Sequence, residues 1–268
     1  MIEFFKADKN DVAQLKMLWL ECFEDTNQAV DLFFDKNWHQ MRAFCAKDND
    51  RIVSALYLIN AVLNGQKAHY LCGASTKVGY RKRNIMSNLI EFALEIAKQD
   101  GDKFSTLVPA QASLYEYYAR FGYKAECFVE KRMYSRTELL KLDDCSAIEN
   151  YDFEQLQRIY LENNFLLWNN NYKKFAREYY RLYGVSVICT SDCFALFEEN
   201  NGCAEVFYAV SANEGVLAKR LIENSNAERF MIFGKAKENS NKEKCGMIKS
   251  LDNNMTIPKD VFIGITLM

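Results

Sequence analysis

Hydrophobic and polar positions follow two periods along this chain, and the changes of period mark its elements. Ile2 to Phe5 has the length of a short strand. After Asn10 and Asp11, the residues Val12, Leu15, Leu18, Trp19, Cys22 and Phe23 recur at helical spacing, which predicts a capped helix; a second helix is predicted from Gln28 to Trp38. Three apolar runs follow: Arg42 to Lys47, Arg51 to Val62 and Lys67 to Thr76. Asp48-Asn49-Asp50 and the pair Asn64-Gly65 separate them, so the runs read as an antiparallel meander. Next, Ile85, Leu89, Ile90, Phe92, Ala93, Leu94, Ile96 and Ala97 form one face of a long helix that Gly101 should end. It feeds a buried strand, Phe104 to Val108. Strand, helix and strand in this order make a right-handed crossover, which sets Tyr70 to Thr76 and Phe104 to Val108 side by side and parallel. One of only two prolines, Pro109, comes directly after. Proline cannot donate to a ladder, so the parallel pair is expected to splay there and leave a cleft with unpaired backbone groups. A helix from Ser113 to Arg120, ended by Gly122, and a strand from Lys124 to about Tyr134 close the first half.

The polar stretch Thr137 to Asn150 reads as a linker. Beyond it, helices are predicted at Tyr151 to Glu162 and Tyr172 to Tyr183. Strands follow at Val185 to Thr190, Phe194 to Glu198 and Ala204 to Val210, then a helix from Glu214 to Asn224. Arg229 to Gly234, Cys245 to Leu251 and Val261 to Leu267 read as further strands. Two helices, a meander, one helix and more strands is the order of the first half. It admits a degenerate copy, without a residue-level repeat. A chain of 268 residues fits two domains at about 150 residues each. The expected organisation is α/β (α+β): residues 1–136, a linker at 137–150, and a second domain at 151–268. The aromatic positions Tyr172, Phe175, Tyr179, Tyr180 and Tyr183 are read as a buried helix face between the domains.

Composition narrows the function classes. With 49% apolar and 26% charged residues the chain is a folding one, and a net charge of -2 supplies no global attraction to nucleic acid or acidic membranes. No apolar run approaches the roughly 18 residues of a membrane span, and the first residues lack a secretory pattern. Nine cysteines without paired zinc-type spacing are read as reduced thiols of a cytosolic protein. With two histidines, His39 and His69, and no clustered carboxylates, no metal ligand set is found.

One segment stands out against this neutral background. Between Lys77 and Arg83, four of seven residues are basic, and a helix opens directly afterwards. A helix N-terminus presents free N–H groups and a positive dipole end, so Thr76-Lys77-Val78-Gly79-Tyr80-Arg81-Lys82-Arg83-Asn84-Ile85-Met86 has the makings of a phosphate cradle. A solvated basic turn is the other reading. In the second half the corresponding crossover, Ser211 to Gly215, has no basic cluster, and no phosphate site is placed there. His69 lies on the strand leading to the loop, where a lone histidine is most often structural.

These residues resemble the GNAT-type acyl-CoA N-acyltransferases. The resemblance covers roughly residues 1–135 and is best from Thr76 to Tyr123. That family opens its long helix with Arg/Gln-x-x-Gly-x-Gly/Ala, whose backbone N–H groups bind the pyrophosphate of acetyl-CoA. Arg81-Lys82-Arg83-Asn84-Ile85-Met86 stands at those six positions, with Asn84 and Met86 where the glycines would be. Asn tolerates left-handed backbone best after Gly. The family's Tyr-x-x-x-Gly-Phe is matched by Tyr118-Ala119-Arg120-Phe121-Gly122-Tyr123. The resemblance implies a GNAT-like mixed sheet flanked by helices, acetyl-CoA as co-substrate, and no metal. It implies that Ala74, Ser75 and Thr76 pair with the pantetheine arm. Val78, Arg81, Lys82, Arg83, Asn84, Ile85 and Met86 would hold the pyrophosphate, with Tyr118 as proton donor to the leaving thiolate. A phenol of pKa about 10 suits that donation; Tyr118 also fits an aromatic core strip with Tyr115, Tyr117 and Phe121. The enhanced-intracellular-survival group shares the basic triplet, and its terminal carboxylate reaches the active site, which makes Met268 a candidate base or amine-orienting group. The implied acceptor is a small-molecule amine or a protein lysine, with no nucleic acid or membrane partner and an open oligomeric state. A non-catalytic GNAT-like protein that binds CoA or a protein partner is the alternative.

Overall fold

The computed structural model describes residues 1–142, 150–237 and 240–267. Contacts divide the chain into two units, Met1–Ala125 with Gly246–Ile257, and Glu126–Cys245 with Pro258–Thr266.

The first unit follows the predicted order. β1 (Ile2–Lys6), α1 (Val12–Cys22) and α2 (Asn27–Asn37) lead into β2 (Met41–Asp48), β3 (Arg51–Leu63) and β4 (Gln66–Thr76); α3 (Ile85–Gln99), β5 (Phe104–Leu107) and α4 (Ser113–Ala119) complete it. The sheet runs β1-β2-β3-β4-β5. Its strands are antiparallel up to β4, and β4 and β5 are parallel from Ala68↔Phe104 to Leu71↔Leu107. β3 is an almost unbroken apolar run because both its faces are covered. Leu56 and Leu58 join Leu71, Leu89, Ile90, Ala93, Leu107 and Tyr118 in one core. On the other side Tyr57 meets Trp19, Phe33 and Phe34 at ring-centroid distances of 5.3, 5.5 and 5.6 Å.

β4 contains a bulge. Ala55 pairs with Ser75 but Tyr57 pairs with Cys72, so β4 carries one more residue than β3 over this stretch. Gly73 takes φ +60 there, and a Cβ on it would lie 2.7 Å from both Trp19 and Tyr57 ring carbons. A left-handed glycine is what such a bulge requires, and it turns the last residues of β4 away from their neighbours. Gly73→Ala should therefore cost about 2–3 kcal/mol through backbone strain and displaced rings. An unchanged urea midpoint would show that neither constrains the bulge.

The second unit contains β6 (Lys124–Ser135, from Glu126 onward), α5 (Arg136–Leu142), α6 (Phe153–Leu161), β7 (Leu166–Leu167) and α7 (Asn170–Leu182). β8 (Ser186–Cys189), β9 (Cys193–Asn200), β10 (Cys203–Ser211), α8 (Glu214–Asn224) and β11 (Arg229–Lys235) follow. Its strands are ordered β6-β11-β10-β9-β8, with β10 and β11 parallel across the α8 crossover. Leu139, Phe197, Val206, Leu217, Leu221 and Phe230 share a core. Tyr172, Phe175, Tyr179 and Tyr180 of α7 are buried, and Trp168 stacks on Tyr172 at 4.1 Å. β12 (Lys242–Ser250) crosses the boundary between the units, and its residues 247–250 pair antiparallel with β5 in the first unit.

Three expectations change. The boundary falls at residues 125/126 rather than 136/137, because residues 129–135 of β6 pair with β11, from Arg229↔Ser135 to Lys235↔Val129. The start of the expected linker is α5, whose Leu139 is buried in the second core; the charges around a single buried leucine hid this short helix. Residues 143–149 lie outside the described residues. Finally, residues 261–267 form no strand, only isolated bridges at Val261 and Phe262. Gly264 turns left-handed under Tyr208, with a Cβ position only 2.6 Å from that ring. The segment is held by scattered bonds instead, among them Trp168 Nε1 to the Ile263 carbonyl (2.9 Å) and Tyr180 hydroxyl to the Thr266 carbonyl (2.6 Å). No helix among the described residues is long and apolar enough to cross a membrane.

Candidate active site

The ladder between β4 and β5 ends at Leu71 and Leu107, and Pro109 follows two residues later. β4 continues to Thr76 with only its β3 edge paired, so the predicted splay is present and its open edge carries Ala74, Ser75 and Thr76. The side chains of Ser54, Ser75 and Thr76 brace this stretch. The Ser54 hydroxyl donates to the Ser75 carbonyl at 2.8 Å and lies 2.8 Å from the Thr76 hydroxyl.

From Thr76 the chain passes through a 3-10 turn at Val78–Tyr80 into the basic triplet. Arg81 Nε donates back to the Thr76 carbonyl at 3.0 Å, and the Lys77 ammonium pairs with Glu21 at 2.8 Å. The Arg83 guanidinium lies over the Tyr80 ring, 5.0 Å from its centroid. Lys82 and Asn84 both have positive φ, +61 and +58. Asn84 thus takes the left-handed conformation that a glycine adopts without cost, and it does so immediately before α3.

The entry to α3 carries no side-chain cap, which it shares with α1 and α4, but it alone of the three follows a left-handed residue. Thr26, Asp152, Asn169 and Asn213 each cap their helices through a side-chain oxygen. Asn84 makes no such bond, and the first backbone return is Asn88 N to the Asn84 carbonyl. The first-turn N–H groups of α3 therefore point, uncapped, at a loop bearing Lys77, Arg81, Lys82 and Arg83. This is an arrangement that holds anions. Val78 is exposed on the same loop, while Ile85 is buried and Met86 half-buried against the core.

Tyr118 stands beside this point. Its neighbour Tyr117 reaches Ser87, in the first turn of α3, with 3.3 Å between the hydroxyl oxygens. The Tyr118 ring packs edge-on to Tyr117 and Tyr123. Burial, reinforced by the nearby Tyr117 and Cys72, pushes its hydroxyl up to about 12, so it is protonated at neutral pH. Tyr118 is a core residue, and its environment includes Cys72 at the mouth of the splay.

His69 is a structural residue. It is fully buried, and its Nδ1 lies 2.6 Å from the Asp102 carboxylate. Asp102 also accepts from Arg42 and lies 3.2 Å from the Lys67 ammonium, while Arg42 reaches Asp100 at 3.0 Å. This cluster sits at the beginnings of β4 and β5, whereas the splay opens at their ends. Met268 lies outside the described residues.

Two contributors escaped the sequence reading. Gly73 was signalled, since a lone glycine inside an apolar strand marks a bulge or a close approach. Lys249 was not. Arriving on β12, it donates to the Phe121 carbonyl at 2.6 Å and fixes the turn after α4 from 128 residues away.

Residues 3–125 match a family model described as an acetyltransferase (GNAT) domain. In fold, the chain is similar to a conserved protein of Enterococcus faecalis V583 described as a probable N-acyltransferase (TM-score 0.70, 11% identity, 94% of this chain and 73% of that one). It is likewise similar to a GCN5-related N-acetyltransferase from Anabaena variabilis ATCC 29413 (TM-score 0.69, 11% identity, covering 94% and 73%). Eis1 from Mycobacterium abscessus gives TM-score 0.64 at 10% identity, covering 94% and 74%. No curated protein matches the chain. Identities this low speak for a shared fold, a mixed α/β sheet flanked by helices.

Proposed function

We propose that this chain, whose first unit matches a GNAT acetyltransferase domain, is an N-acetyltransferase that moves an acetyl group from acetyl-CoA to a primary amine by direct attack in a ternary complex. The observation that carries the reading is the uncapped, left-handed entry to α3, set within four basic side chains at the splayed end of β4. The N–H groups of residues 85–87, with Arg81, Lys82 and Arg83, would hold the pyrophosphate. The open edge of Ala74, Ser75 and Thr76 would pair with the pantetheine amides, and a strand N–H would polarise the thioester carbonyl. The amine lone pair attacks that carbon. A C–N bond forms, the C–S bond breaks, the Tyr118 hydroxyl gives its proton to sulfur, the amine's surplus proton passes to solvent, and solvent returns one proton to the Tyr118 oxygen.

Titration calorimetry tests the cradle. Lys82→Ala/Arg83→Ala removes two cations that make no hydrogen bond or ion pair among the described residues, so the loop's own bonds remain. Charge-assisted bonds are worth about 1.5–3 kcal/mol each, so acetyl-CoA affinity should fall by roughly a hundredfold or more. Absence of binding to the wild type at millimolar acetyl-CoA would defeat the reading. Binding without thiol release across a panel of amines would select the alternative, a GNAT-like protein that binds CoA without transfer.

A further inference from the structure

α4 has few holds of its own. It is seven residues long, no side chain caps its N-terminus, and residues 110–113 leading into it are exposed. Within it only Tyr118 is buried. A helix this short is marginal by itself, so its place depends on what grips its ends.

The grip is at the C-terminal end. Phe121 N–H donates to the Tyr118 carbonyl at 3.0 Å and Gly122 N–H to the Ala119 carbonyl at 2.9 Å, and the Phe121 carbonyl accepts from the Lys249 ammonium at 2.6 Å. Cations favour this end of a helix, where carbonyls lack partners within it. Gly122 is left-handed, and a Cβ on it would lie 3.8 Å from Cε and Nζ of Lys249, so the lysine stem runs along the turn. Lys249 is half-buried, and among the described residues its ammonium forms no ion pair, although Glu91 and Lys98 of α3 lie close enough to act on its charge. An ammonium given only a backbone carbonyl fixes a position rather than balancing a charge.

A second hold comes from the residue opposite. Lys249 pairs across the ladder with Ser105 of β5, whose hydroxyl lies 2.5 Å from that of Tyr123. Tyr118 packs edge-on to the Tyr123 ring, 6.0 Å between centroids. One cross-strand pair thus secures both the backbone that carries Tyr118 and a ring beside it.

We propose that Lys249 is a positioning residue for acyl transfer: through the Phe121 carbonyl it fixes the last turn of α4, and so the place of the Tyr118 hydroxyl at the splay. The inference rests on the acetyltransferase reading with Tyr118 as proton donor. In this role Lys249 acts through Tyr118 alone. Proton transfer to sulfur depends on where the donor stands, and a misplacement of about 1 Å can cost about 10²-fold.

Lys249→Met keeps the stem and removes the ammonium. In amine-dependent thiol release kcat should fall by roughly tenfold or more, with acetyl-CoA affinity changed less than about threefold because the cradle is untouched. Lys249→Gln should behave alike, and Lys249→Arg, which still brings a donor to the carbonyl, should keep kcat within about threefold of wild type. A double-mutant cycle separates positioning from a structural role. In a Tyr118→Phe background Lys249→Met should lower kcat no further, since the proton it positions is gone; a merely structural lysine would cost the same factor in both backgrounds. The ring signal of Tyr118 in protein labelled with carbon-13 tyrosine should shift in Lys249→Met and return in Lys249→Arg. Wild-type kcat in folded Lys249→Met and Lys249→Gln, an equal loss in both backgrounds, or an unmoved Tyr118 signal would overturn the inference and leave the acetyltransferase reading standing. No thiol release from the wild type would instead overturn that reading, and the inference with it.

Discussion

Asp102→Ala is expected to destabilise the protein by about 3–5 kcal/mol, the usual consequence of removing one partner from a buried ion pair. Asp102 is fully buried as a side chain and answers Arg42, Lys67 and His69 together. Burial pushes its carboxyl up, but the His69 and Arg42 hydrogen bonds outweigh burial and hold it far below the usual carboxylate range. Without it, the Arg42 guanidinium keeps only Asp100 and the buried His69 Nδ1 loses its partner. Urea denaturation at pH 7.5 measures the loss; a change below 1 kcal/mol would mean that water or relaxation compensates.

The same cluster sets a pH dependence. Burial lowers the His69 imidazole despite Asp102, so it is neutral in the folded protein, whereas in the unfolded chain it titrates near 6.5. Below that pH the unfolded chain binds the extra proton and stability falls. Asp102 has a depressed folded value, so its contribution is complete above about pH 4 and is lost as pH drops through and below that range. Wild-type stability should therefore decline in two steps on acidification. Asp102→Ala should show a smaller second step, the remainder coming from other carboxylates held low, such as Asp192 and Glu130.

Tyr118→Phe should lower kcat for amine-dependent thiol release from acetyl-CoA by about 10²-fold or more, with acetyl-CoA affinity changed less than about threefold. The phenyl ring keeps the packing against Tyr117 and Tyr123, so only the proton is lost. Because burial pushes the hydroxyl up to about 12, it remains a donor throughout the working range, and Tyr118 should add no basic limb to the kcat profile below that value. Tyr117→Phe is the control: it loses a 3.3 Å contact to Ser87 and should change kcat little. A Tyr118→Phe protein within twofold of wild type would return Tyr118 to the aromatic core alone.

Much of the first unit was legible in the chain because its signals are local. The Asn64-Gly65 turn, the apolar face of α3 and the stop at Gly101 each depend on residues a few positions apart. At Asn84 the tolerance of Asn for left-handed backbone was legible, and the residue takes that conformation at the helix entry. His69 was expected to be structural, but its partner Asp102 lies 33 residues on and is shared with Arg42, 60 residues from Asp102, so neither could be named from pattern.

The sequence by itself determined the order of helices and strands in the first unit, that one loop concentrates positive charge at a helix start, and that pairing stops before Pro109. These follow from periodicity, capping chemistry and the missing N–H of proline, all short-range properties of the chain. Only the tertiary structure decided that β6 belongs with β11, that β12 returns to β5 carrying Lys249 to the Phe121 carbonyl, and that the last segment is pinned irregularly around Gly264. Those outcomes depend on which strand edges meet and which rings occupy the space, and contacts made across a hundred residues leave no period in the sequence to read.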